Sequence, residues 1–479
     1  MRANAITSGK APAAAANVRA ITRERAAADE QSMRLLRNLI WLYVLLWLVE
    51  GGLRRWFLPG LASPLLLIRD PLVVAIYFIA ASKNLFPANA FIGWGVLLAF
   101  LSFANALLLG HGNAIVALYG MRCDFLHVPF IFIAGKVLRQ KDVVALAKVA
   151  VWVVIPYTAL LVAQFYQPQD AWVNRGVGDS TEGAGFAGSL NHFRPPGTFS
   201  FITGPAELYP LVTACWFVLV LSHQFPAWLM AASGAAIVVA VPVSISRSLF
   251  LGVGLVAVTG IGAMIAGKRL SLGMFFKVAL IAIVLPLAAT RLPAFKDGME
   301  AFSARWETAT TDQGGFQEAI VDRVLDGLFG PFAGVKYSGL GTGFSTNVGQ
   351  KLLTEKVGFG DSEGEWGRLL FDNGFILGSL LIVYRVALGG WIFLATLRAW
   401  RRRSPQGLVF ASAGFLLLID GQWGQATTLG SAVIAGGLAL AAAQVKTANS
   451  KSTRNVHRPN FANANSRQNA EPLRLSALL

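Results

Sequence analysis

Apolar residues in this chain fall in long runs, with most charges in the tails and in the intervals between them. A helix crossing the hydrocarbon of a bilayer needs about 20 mostly apolar residues. On that criterion the pattern predicts twelve spans, at roughly 36–50, 61–81, 91–110, 114–135, 143–164, 203–222, 227–245, 247–267, 273–290, 368–396, 407–420 and 426–445. The first and eleventh are short and the tenth is long. Pro129, Pro156, Pro210, Pro242 and Pro286 lie in or near spans and predict kinks. Helices satisfy their own backbone groups in lipid, so the predicted fold is all-α, a polytopic transmembrane helical bundle.

Two long polar intervals interrupt the runs, 165–202 and 291–367. Within the second, "DQGGFQEAIVDRVLDGLF" sets Phe316, Ile320, Val321, Val324, Leu325 and Leu328 at helical spacing, with Gln317, Asp322, Arg323 and Asp326 elsewhere on the wheel. That predicts an amphipathic helix, either packed on the bundle or the membrane surface or acting as a lid over a lipid-entry groove. The expected organisation is a basic tail over 1–35, a bundle with its loops over 36–445, and a basic disordered tail over 446–479. The first apolar run begins near Leu36 and continues into Glu50 without a small-residue cleavage site, so it reads as a retained helix.

Composition agrees with this pattern. The 479 residues are 55% hydrophobic and 14% charged, where soluble domains carry about 25% charged residues. The net charge of +16 could suggest nucleic acid, but its distribution argues against it. Residues 1–37 hold seven Lys/Arg against three acids, and 446–479 hold six against one. These tails, with Lys83, Lys136, Arg139, Lys141, Lys268, Arg269, Arg398, Arg401, Arg402 and Arg403, fall on one side if the spans alternate. Arg54, Arg55 and Arg247 fall on the other. The positive-inside rule therefore predicts both termini inside, anchors on anionic lipid, and the two long intervals outside. Cys123 and Cys215 offer neither a disulfide framework nor a CxxC spacing. No metal or cofactor is expected, and no Walker A, HExxH, EF-hand or GxSxG pattern occurs.

Candidate chemistry lies at the predicted outer boundary. Arg247 is almost the only charge between Pro226 and Lys268, in "VPVSISRSLFLGVG". Arg194 precedes Pro195-Pro196-Gly197, which stiffens its presentation. Gly339, Gly341 and Gly343 form GxGxG without the strand–helix context of a dinucleotide loop, and suit a tight loop that lets backbone approach a ligand. Asp361, Glu363 and Glu365, followed by Arg368 and Asp372, form either a solvated acidic rim or a general base beside an anion site. Glu50, Arg54 and Arg55, Arg69 and Asp70, and Arg122 and Asp124 are expected to pair internally, since charge in lipid must be matched.

Four motifs occur in order: "FRPPGTFSF", "SISRSLFLG", "GLGTGF" and "GEWGRLLFDNGFILG". Together they resemble the O-antigen ligase and O-antigen polymerase superfamily of bacterial inner-membrane glycosyltransferases, over about 190–380 in motif and over the twelve spans in architecture. The resemblance implies an undecaprenyl-diphosphate-linked glycan donor, a glycan or lipid acceptor, and metal-independent transfer on the periplasmic side. Arg194 and Arg247 match the family's arginine positions and, with Arg368, are implied to bind the diphosphate. Family ligases carry a histidine near the end of the large loop; alignment on Gly374 puts Glu363 there, with Glu365 two residues on. No histidine lies between His223 and His457. This departure leaves room for a polymerase, or for a relative in which Glu363 or Glu365 is the base. The competing readings are a lipid-linked oligosaccharide flippase or other transporter, and a non-catalytic subunit of envelope assembly. Arg194, Arg247 and a glutamate around one outward cavity would favour the enzyme; a central two-sided cavity between similar halves would favour transport.

Overall fold

The computed structural model describes residues 10–183, 185–222, 226–266, 287, 289–312, 332, 337–354, 364–402 and 404–444. Among them, nine helices are long and apolar enough to cross a membrane, and Ala227–Val243 and Gln406–Asp420 are shorter apolar helices. These eleven fall on eleven of the predicted spans. The predicted span at 273–290 lies almost wholly outside the described residues, as does the amphipathic helix predicted over 312–329. Strand is confined, among the described residues, to one antiparallel hairpin, β1 (Phe186–Ser189) and β2 (His192–Arg194).

The helices that position the site are α1 (Lys10–Gly52), α2 (Arg69–Ser82), α3 (Ala90–Leu108), α4 (Ala114–Met121), α5 (Val128–Val137), α6 (Gln140–Tyr166) and α7 (Thr203–Ser222). They continue as α8 (Ala227–Val243), α9 (Arg247–Ala266), α10 (Pro293–Asp312), α11 (Asn347–Leu353), α12 (Glu365–Arg401), α13 (Gln406–Asp420) and α14 (Ala426–Ala443). Among the most enclosed is α14, whose "ATTLGSAVIAGGLALAAA" is mostly small residues. Lipid tails are as apolar as leucine, so close backbone approach and good packing, not exclusion from water, drive helix association here. Gly414 lies against Ala435, and Gly437 against Ala134 of α5.

The sharp break in the bundle is not at a proline. It is at Gly374, with φ 78° and ψ 176°, inside α12. There the helix gives up its own hydrogen bonds, and the glycine-rich segment takes them. Leu340 N donates to Phe371 O at 3.0 Å and Gly341 N to Asp372 O at 2.7 Å. Gly339, Gly341 and Gly343 all have positive φ. A side chain on Gly339 would strike the backbone at Gly374, and one on Gly343 the backbone at Val116. The glycines are thus used for backbone-to-backbone packing against α3, α4 and α12.

Several charges buried in the bundle are answered by partners on other helices. Arg69 reaches Glu50 at 3.0 Å and Tyr43 at 3.2 Å. Arg122 binds Asp70 at 2.8 and 3.0 Å, and His127 meets the same carboxylate at 3.0 Å. Asp124 is taken by Arg368 at 2.5 Å. Arg54 pairs with Glu50 at 3.7 Å as neighbours in the chain, but the other pairs form across helices: Arg69 does not pair with Asp70, nor Arg122 with Asp124. Arg55 departs from the expectation altogether. It is fully buried and bonds four backbone carbonyls.

The tightest ionic group is centred on Glu365, at 0% exposure. Arg368 donates to it at 2.9 and 2.8 Å, Arg385 donates to it as well, and Trp423 N completes the set at 3.3 Å. Arg385 also donates to the carbonyls of Leu418 at 3.0 Å and Gly421 at 2.7 Å, and lies 3.9 Å over the Trp423 ring. Removing one partner of a buried ion pair costs about 3–5 kcal/mol, because the other charge is left uncompensated. Arg385→Leu and Glu365→Leu should each lower thermal stability in detergent and steady-state membrane level, and the double variant should recover part of the loss. Wild-type stability in both single variants would show that the group contributes nothing to the fold.

Candidate functional site

The site grows from two turns. The first joins α8 to α9. Ser244 Oγ donates to Val241 O at 2.8 Å, and Ser246 Oγ accepts from Leu249 N at 3.3 Å, capping α9. Between them the fully buried Ile245 adopts φ 48°, which is strained for a β-branched side chain. The outcome is that Arg247 is the first residue of α9, beside a helix N-terminus whose N–H groups and dipole favour an anion.

The second turn follows β2. Arg194 pairs with Phe186 at the end of the hairpin, and Pro195, Pro196 and Gly197 behind it are buried. Gly197 has φ 64°, and a side chain there would collide with the Tyr157 hydroxyl. Its carbonyl accepts from Arg55 at 2.8 Å and from Gln164 at 3.0 Å, and its N–H donates to Gln164 Oε1 at 2.7 Å. Arg55 therefore sets the path of the turn that presents Arg194.

A third arginine arrives from α10. Arg305 donates to Gly188 O of the hairpin at 3.3 Å. Phe302 and Trp306 of the same helix lie 5.9 and 6.3 Å from the Phe250 ring of α9. Burial first, and then the charges of Arg305 and Arg247, push the Arg194 guanidinium down to about 10. It stays cationic at neutral pH. The like charges of Arg305 and Arg247 thus lie near enough to act on Arg194, and guanidinium groups suit phosphate oxygens.

Arg194 lines a cavity of about 590 Å³ between α7, α9 and α13. Ser246 and Ser248, on either side of Arg247, line it too. Its walls carry Thr203 and Gln422 among the polar groups, and Leu251, Leu255 and Leu416 among the apolar ones. Among the described lining residues the one carboxylate is Glu207 of α7, 8% exposed. Thr428 Oγ1 donates to it at 2.5 Å and Ser431 Oγ at 2.6 Å.

The structure thus brings Arg194 and Arg247 together and holds Glu365 and Arg368 elsewhere. The segment from Leu417 to Trp423 separates the two groups. Leu417, Gly421 and Gln422 line the cavity, while the carbonyls of Leu417, Leu418 and Gly421 accept from Arg385 and Trp423 N donates to Glu365. Glu365 and Arg368 brace that wall from behind. A general base needs a lone pair within reach of its substrate, and Glu365 is spent on two arginines and a backbone N–H. Glu363 lies outside the described residues. Two site residues carry weaker marks in the sequence. Arg305 sits in an interval whose clearest amphipathic pattern lies further along the chain. Glu207 had a legible signal: it is the one carboxylate between Glu182 and Asp297, inside an apolar run. No protein-family model matches the chain, and no curated protein matches it.

Proposed function

We propose that this chain is a membrane glycosyltransferase of surface-polysaccharide assembly, of the O-antigen ligase or polymerase kind, which takes glycan from an undecaprenyl-diphosphate-linked donor. The observation that carries the reading is that Arg194, which feels the charges of Arg305 and Arg247, lines a cavity that also holds a carboxylate. Departure of a lipid diphosphate concentrates negative charge on phosphate oxygens. Guanidinium groups remain charged and bind such oxygens through a bidentate fork. Preorganised in a half-dry site, they stabilise that charge as it develops. Serine and threonine hydroxyls along the wall suit sugar hydroxyls, and the leucines beyond them suit a prenyl chain.

A transporter builds its site near the bilayer midplane, where two repeats meet. Here Arg194 ends a hairpin strand, Arg247 is the first residue of α9, and Arg305 comes from the loop helix α10. That placement favours chemistry at one face.

In this reading the arginines face the periplasm of the inner membrane and both termini face the cytoplasm, as the charge bias predicts. Tyr337→Cys, at a residue 82% exposed, should react with an impermeant maleimide once the outer membrane is opened, and Lys83→Cys only after the inner membrane is breached. The reverse order would invert the topology.

Arg247→Lys keeps charge and loses the fork. It should lower glycan transfer at least about tenfold, and Arg247→Ala about 10²–10³-fold, the cost of one donor to a developing anion. The measurement is surface-glycan length and attachment in a deletion strain carrying each variant, normalised to membrane protein level. Normal transfer by Arg247→Ala at normal level would remove Arg247 from the site.

A further inference from the structure

We infer that Glu207 is the general base of this site, the group that takes the proton from the attacking acceptor hydroxyl. The inference rests on the glycosyltransferase reading and adds to it the identity of the proton acceptor. Its first support is position. Glu207 lies four residues into α7, after Thr203, which also lines the cavity. At 1.5 Å of rise per residue it stands about 6 Å deeper than the helix start. Arg194 and Glu207 line the same cavity, so a sugar attached to an anion held at Arg194 would share that cavity with the carboxylate.

Its second support is the partner set. Each ion pair found among the described residues leaves Glu207 out. Its two hydroxyl donors, Thr428 and Ser431, come from α14 and fix the orientation of the carboxylate. A carboxylate offers about four lone-pair sites, so capacity remains for an acceptor hydroxyl. Glu365 is the contrast: two guanidiniums hold it ionised and enclosed. A tether between α7 and α14 needs no charge, and a neutral glutamine would bridge the same hydroxyls at lower cost in an apolar run. What an acid adds at that place is the capacity to take up a proton.

The step balances without a further reactant. The acceptor oxygen forms a bond to the anomeric carbon. The bond from that carbon to the phosphate oxygen breaks, and its electron pair leaves on the lipid diphosphate beside the arginines. The hydroxyl proton passes to Glu207 and from there to water.

The test uses membranes of a deletion strain, which supply the native lipid-linked glycan, reconstituted with wild type, Glu207→Gln or Glu207→Asp. Binding is read separately on purified full-length protein, as the thermal shift caused by undecaprenyl diphosphate. Glu207→Gln should lower transfer about 10²–10⁴-fold, the usual loss of general-base help, with the undecaprenyl diphosphate shift retained. Wild type should show a rate that falls toward acid, since a base must be deprotonated to act. Glu207→Asp should keep that acid limb at reduced rate, and Glu207→Gln should lose it from its residual rate. A merely structural role would lower the melting temperature and leave the limb in place. Wild-type turnover in Glu207→Gln, or an intact acid limb in it, would overturn the inference and leave the glycosyltransferase reading standing. Absence of both transfer and an Arg247-dependent undecaprenyl diphosphate shift in wild type would overturn that reading, and the inference with it.

Discussion

Lipid offers no hydrogen bonds, so every polar group that this bundle encloses must be answered from within the protein. The guanidinium of Arg55 is the clearest instance. It is fully buried and has no carboxylate, and it gathers the carbonyls of Val173, Arg175, Gly197 and Phe199. One side chain at the end of α1 thereby shapes an interval more than a hundred residues away. The presentation of Arg194, and with it the polar end of the cavity, depends on that capture.

The same constraint explains the interruption of α12. A helix that stops hydrogen-bonding to itself at Gly374 needs outside donors, and Leu340 and Gly341 supply them. The glycines of "GLGTGF" are required because the donor backbone must come within contact distance of three helices. A loop pressed this closely is part of the scaffold. The consequence is a loop fixed against α3, α4 and α12.

Two groups of charge have different fates. Around Glu365, acids and arginines neutralise one another at close range and brace the 417–423 segment. Around Arg194, the charges of Arg305 and Arg247 act on one guanidinium, and the carboxylate that lines the same cavity, Glu207, accepts from two hydroxyls. The neutralised group stabilises the fold, and Arg194 lines a cavity.

The amino-acid sequence by itself determined the helical bundle, because continuous apolar runs of membrane length admit few other structures, and it marked Arg194 and Arg247 as charges at span ends. It also carried the signal of Glu207, a lone acid in an apolar run. Only the tertiary structure decided how these residues combine. Arg194 and Arg247 are 53 positions apart, and Arg305 belongs to a separate helix; their meeting depends on the strained turn at Ile245 and the packing of α10 over α9. Glu365 and Arg368 looked like a base and an anion clamp because their spacing places them near a span mouth. Whether a buried carboxylate serves as base or brace depends on which side chains reach it from other helices, here Arg385 and Trp423. Those contacts are long-range in the chain and leave no local pattern to read.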